Sequence, residues 1–115
     1  MVDVPVERFE ELVADALDEI PDDLWRLMDN VAVVVRDGTP GSSLLGLYDG
    51  IPLTKRDASY DGMVMPDRIS IFRRPILDLC ADEAEVVRQV RITVIHEVAH
   101  HFGIDDDRLT ELGWD

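Results

Sequence analysis

From Val6 to Ile20 the apolar residues return every three or four positions: Val6, Phe9, Leu12, Val13, Ala16, Leu17 and Ile20. That is the repeat of one helical face. Asp3 is placed to cap this helix, Pro5 suits its first turn and Pro21 closes it. "PDDLWRLM" adds a short helical turn carrying Trp25. The pattern then changes. "NVAVVVR" is an unbroken β-branched run and predicts a buried strand, with "DGTPGSS" as the loop after it. "LLGLYDGIPLTKR" predicts two short strands around an Asp49-Gly50 hairpin turn. "ASYDGMVMPD" reads as a loop. "RISIFRR" alternates and predicts a strand with Ile69, Ile71 and Arg73 on one side, ended by Pro75.

A second long helix is predicted after Asp82, with Glu85 three residues on, close to a capping box. It extends to about Phe102 and stops at Gly103, a natural left-handed terminator. "DDRLTELG" forms one last short helix. Helix, strands, helix is the order of an α+β domain rather than of repeated βαβ units. With 115 residues the chain is long enough for one domain, 1–115, and one core.

Composition narrows the function. The formal net charge is −14, with one lysine, Lys55, against ten arginines. Arg68, Arg73 and Arg74 are the only local basic cluster, too small for a nucleic-acid surface, so no nucleic-acid partner is expected. No apolar run approaches the roughly 18 residues of a membrane span, and the acidic, amphipathic N-terminus is no secretory signal. A cytoplasmic protein without a membrane partner is the expectation. Cys80, the single cysteine, is expected to be a small buried thiol.

All three histidines, His96, His100 and His101, lie in "TVIHEVAHHFGIDDDRLTELG". At about 100° per residue, His100 stands about 40° from His96 on one helical face. Two imidazoles four residues apart can bind one metal ion together. Glu97 falls beside that face. "HEVAH" thus has the spacing of His-Glu-x-x-His, two zinc ligands and a general base. Chance predicts about 0.005 such matches in a chain of this composition, which makes the motif hard to dismiss. His101 points among Val87, Val90, Val94 and Val98, and reads as a packed, hydrogen-bonded core histidine rather than a ligand.

A catalytic zinc usually takes a third protein ligand. Gly103 lets the chain turn back, and Asp106 stands six residues after His100, giving His-Glu-x-x-His-x-x-Gly-x-x-Asp. Asp105 and Asp107 are nearby competitors whose other roles are helix capping or solvated charge. Glu111 is a weaker one.

This motif resembles those of the zincin metallopeptidases. Its glycine and third-ligand spacing is similar to that of the metzincins, with aspartate where those usually have histidine. Together with "MDNVAVVVRD", "LLGLYDGIPLTKR", "PDRISIFRRPI" and "VRITVIHEVAHHFGIDDDRLTELGW", the chain resembles a small bacterial family of possible zinc metallopeptidases, or minimal zincins, from about Met28 to Trp114. The resemblance implies a compact zincin-like domain with a small sheet beside the N-terminal and motif helices. It also implies Zn(2+) held by His96, His100 and Asp106, with Glu97 as the base. Metzincins carry a methionine turn after the motif. Only nine residues follow Asp106 here and none is methionine, while Met63 and Met65 lie upstream.

The function so implied is hydrolysis of peptide or amide bonds in a peptide or protein substrate. The edge of "RISIFRR" is the expected holder of an extended peptide. Tyr48, Tyr60 and Arg73 are the candidate oxyanion helpers. Two alternatives stand beside it: a non-catalytic module in which zinc staples the tail to the helix, and a metal-dependent hydrolase of another substrate such as RNA.

Overall fold

A computed structural model describes residues 2–56 and 66–112. Tyr60, Met63, Met65 and nearly all of the "ASYDGMVMPD" segment lie outside them. Helix α1 spans Val6–Asp18 and ends two residues before the predicted limit, although Ile20 is still buried beyond it. No side chain caps α1; Pro5 holds the N-cap position. Asp3, the expected cap, instead faces the Arg73 guanidinium at 3.4 Å. A short helix α2, Asp22–Leu27, follows and leaves Trp25 exposed.

Three strands form one mixed sheet: β1 Val31–Arg36, β2 Gly46–Asp49 and β3 Asp67–Phe72, in the order β1-β3-β2. β3 is central, parallel to β1 (Val31 opposite Asp67) and antiparallel to β2 (Gly46 opposite Ile71). Three expectations are corrected by this order. The β-branched run of β1 is an edge strand among the described strands, and none of its residues is fully buried. "RISIFRR" has no free edge along β3, because both sides are paired. The Asp49-Gly50 hairpin does not form: β2 turns away after Asp49 into a 3-10 turn at Leu53–Lys55 and pairs only with β3 among the described strands. Pro52 heads that turn, and its missing N–H and fixed φ suit a turn start better than a returning strand.

Beyond β3, a short helix α3, Arg73–Asp78, carries Pro75 in its first turn, where the absent N–H costs nothing. The long helix α4 spans Glu83–His101, within a residue of its predicted limits. Asp82 caps it by accepting from Glu85 N–H at 2.9 Å, and Glu85 reaches back to Ala81 N–H at 2.8 Å. Gly103, at φ 82°, ends it in the left-handed region. Helix α5, Asp106–Leu112, closes the described chain.

α4 lies between α1 and the sheet. Phe9, Leu12, Val13 and Ala16 share one core with Val86, Val90, Val94 and Val98, and with Ile69 and Ile71 of β3. Cys80 is buried, and burial pushes its thiol pKa up, so it behaves as a small apolar residue. Because α4 is covered on two sides, one face of its last turns remains partly open. That face carries His96 and His100. None of the described helices is long and apolar enough to cross a membrane.

Candidate metal centre

His96 and His100 stand on the open face of α4 with side chains 30% and 27% exposed and ring centroids 4.7 Å apart. The tight turn at Gly103 brings α5 back over them. Asp106, the first residue of α5, lays one oxygen, Oδ1, 3.0 Å from His96 Nε2 and 2.8 Å from His100 Nε2. The hydrogen bond with His100 is the main cause holding the Asp106 carboxyl below its usual pKa. Of the competing carboxylates, Asp105 caps α5 by accepting from Arg108 N–H at 2.9 Å, and Glu111 pairs with Arg108 at 2.8 Å. Asp107 is exposed. The fold therefore brings Asp106 to the histidines and gives Asp105 and Glu111 other partners.

Glu97 is buried on the neighbouring flank of α4, with Oε1 3.1 Å from His100 Nδ1. Its space is guarded by β2: a Cβ at Gly46 would stand 2.7 Å from Thr93 Cγ2, 3.0 Å from Glu97 Cγ and 3.2 Å from Glu97 Oε2. Only glycine lets β2 lie this close to the helix.

The donor set suits a divalent cation. A carboxylate at Nδ1 fixes the hydrogen of a neutral His100 on that nitrogen and leaves a lone pair at Nε2. That lone pair faces the Asp106 oxygen, as does Nε2 of His96. Each contact is a hydrogen bond when Nε2 carries a proton, and the same nitrogens and oxygen are the atoms a cation would take. The facing atoms are 2.8–3.0 Å apart, near the roughly 3.3 Å between neighbouring ligands of one tetrahedral zinc. His96, Glu97 and His100 also place ligand atoms within 4.8 Å of one another, so the cluster could hold a metal ion.

The third histidine belongs to a different structure. His101 is fully buried, its Nε2 accepts from Asp29 N–H at 3.2 Å, and its Nδ1 lies 3.2 Å from Asp67 Oδ2. That pair of contacts makes it a neutral donor at Nδ1. Burial lowers its pKa, against the pull of Asp67. Asp67, 2% exposed, is the hub: it also accepts from the Tyr48 hydroxyl, from Arg56 Nη2 at 2.8 Å and from Ile51 N–H at 3.1 Å. Burial pushes the Asp67 carboxyl up, but the bonds from Tyr48, Ile51 and Arg56 outweigh it and hold the pKa below normal.

Two of the expected oxyanion helpers are thereby accounted for otherwise. The Tyr48 hydroxyl is committed to Asp67, and its pKa is raised by burial first and by Asp67 next. Arg73 is buried and donates to the Val4 carbonyl at 2.9 and 2.6 Å, tying down the N-terminal segment. Tyr60 lies outside the described residues. Arg73 is also lost from the small basic cluster, leaving Arg68 and Arg74 exposed. Asp67 and Arg56 are the residues that sequence reasoning missed. An aspartate opening a strand carries no local mark of a buried hub.

Comparison with known proteins gives the family and a similar fold. A family model described as zincin-like metallopeptidase matches residues 28–114. A solved structure, a conserved hypothetical protein from Thermo thermophilus, is similar over 96% of this chain and 100% of that one, with a TM-score of 0.58 and 25% sequence identity. None of the curated proteins matches the chain.

Proposed function

We propose a function from one premise: the chain belongs to the zincin-like metallopeptidase family. The proposal is that it hydrolyses peptide or amide bonds at a zinc centre held by His96, His100 and Asp106. The convergence of His96 Nε2 and His100 Nε2 on one Asp106 oxygen, beside a buried Glu97, carries this reading. Bound there, zinc supplies a Lewis acid that activates water and polarises a carbonyl.

The chain's own residues do the rest. Glu97 Oε1 is engaged by His100, so Oε2 is the oxygen that takes the proton of the attacking water and returns it to the leaving nitrogen. Its burial behind β2 removes competing water from the carboxylate. The His100–Glu97 contact orients the imidazole so that Nε2 remains the ligating atom. The substrate backbone pairs with the outer edge of β2, since β3 is central and β2 borders Glu97.

Elemental analysis and a hydrolysis assay on one set of proteins test this. The wild type is expected to bind about one zinc per chain and His100→Ala none. Glu97→Gln is expected to keep the zinc and lose hydrolysis by at least about a hundredfold. Full activity in Glu97→Gln removes the base from the mechanism. Zinc bound without hydrolysis of any peptide leaves a metal-stapled module, in which Asp106 ties α5 to α4.

A further inference from the structure

On α4, His96 has Ile92 one turn before it and Ala99 one turn after it. Both line a groove of about 420 Å³ between α4 and the corner of α1 and α2. Ile20 and Leu24 form its far wall and Phe102 its end. Among the described residues Glu19 is the one charged lining residue, and its carboxylate accepts from Arg91 at 2.7 Å. The groove is therefore an apolar slot with no unpaired charge in its wall. It lies against the His96 side of the metal face, whereas β2 and Gly46 lie on the Glu97 side.

The surroundings are strongly acidic. Asp15, Asp18, Asp22 and Asp23 are exposed on the α1–α2 corner, and no lysine or arginine occurs from residue 9 to residue 25. Past Phe102, at the other end, come Asp105, Asp106 and Asp107. A second copy of a chain with net charge −14 is repelled from such a surface. A cationic chain is drawn to it. We infer that this groove is a specificity site for an extended peptide, taking one large apolar side chain whose neighbours are lysine or arginine. The inference rests on the peptidase reading of His96, Glu97 and His100. It adds a substrate class chosen by the N-terminal helices, whose residues all fall outside the family match.

The test uses the full chain as Glu97→Gln, with zinc added, and three labelled capped octapeptides. One has a central phenylalanine between arginines. The second replaces the phenylalanine by alanine, and the third replaces the arginines by aspartates. Fluorescence anisotropy is expected to show the first binding at least about tenfold tighter than either control, with an affinity that falls as salt is raised. Adding Ile92→Asn on one wall, or Leu24→Asn on the other, is expected to remove that preference while the far-ultraviolet spectrum is kept. Equal binding of all three peptides, or an undiminished preference in both folded variants, overturns the inference. So does self-association in sedimentation that protects the groove. Mass spectrometry of the same peptides with wild type separates the two readings. A peptide bound selectively but never cut keeps the groove and sinks the peptidase. Cleavage of unfolded protein with no preference among the peptides does the reverse.

Discussion

His100 and His101 are neighbours in the chain and opposites in the fold. His100 lies on a partly open face, its two nitrogens set against Glu97 and Asp106. His101 is sealed in the core, hydrogen-bonded on both sides to Asp67 and Asp29. One hundred degrees of helix turn separates a histidine in a cluster that could hold a metal ion from one kept neutral in the core. Both clusters are built on carboxylates, yet they answer different needs. The buried one has every donor matched, as a polar hub in low dielectric must. The open one gathers two imidazole nitrogens and a carboxylate oxygen on a partly exposed face, a donor set that could hold a metal ion.

The contrast is broken most severely at its buried side. Asp67→Ala leaves Arg56, 8% exposed, without its inner carboxylate, and strands the Tyr48 hydroxyl and His101. A loss of about 3–5 kcal/mol of unfolding free energy in urea is expected. A loss below about 1 kcal/mol would falsify the description of Asp67 as a hub. Next comes the wall between the clusters. Gly46→Val drives a side chain into Thr93 and Glu97; about 1–3 kcal/mol of stability and most of the hydrolysis are expected to go together.

His101→Leu sharpens the comparison through pH. Burial holds folded His101 below its ordinary value. Below about 6.5 the unfolded chain therefore takes up a proton that the folded chain refuses. The stability linked to neutral His101 is complete above that pH and declines beneath it. The advantage of wild type over His101→Leu is thus expected to shrink from about pH 7.5 to about pH 5.5, measured by urea unfolding. Asp67, also lowered, keeps its contribution to much lower pH and loses it only below about 3.9. An advantage that grows on acidification contradicts the neutral assignment of His101. The smallest effect is at the open side. Without metal, His100→Ala is expected to cost about 1 kcal/mol, the loss of the hydrogen bond to buried Glu97. With zinc present, only the wild type is expected to gain melting temperature, in proportion to the logarithm of metal concentration.

Much of this was legible from spacing, because spacing is what local structure obeys. A three-four repeat placed α1 within two residues, Asp82 and Gly103 marked the limits of α4, and the wheel set His101 apart from His96 and His100. These depend only on helix geometry and on neighbours a turn away. What lay beyond such reach was decided by the path of the chain. The strand composition of β1 could not tell an edge from a centre, and the Asp49-Gly50 turn signal lost to the pairing of β2 with β3. Three consecutive aspartates offered three partners for the histidines, and only the turn at Gly103 and the capping of α5 by Asp105 set Asp106 over them. Tyr48 and Arg73 looked available in the sequence and are spent on Asp67 and on Val4 in the fold. Asp67, Arg56, Tyr48 and His101 come from segments up to 53 residues apart, and no local pattern brings them together. Helix periodicity is a property of consecutive residues; the matching of buried donors to acceptors is a property of the packed whole.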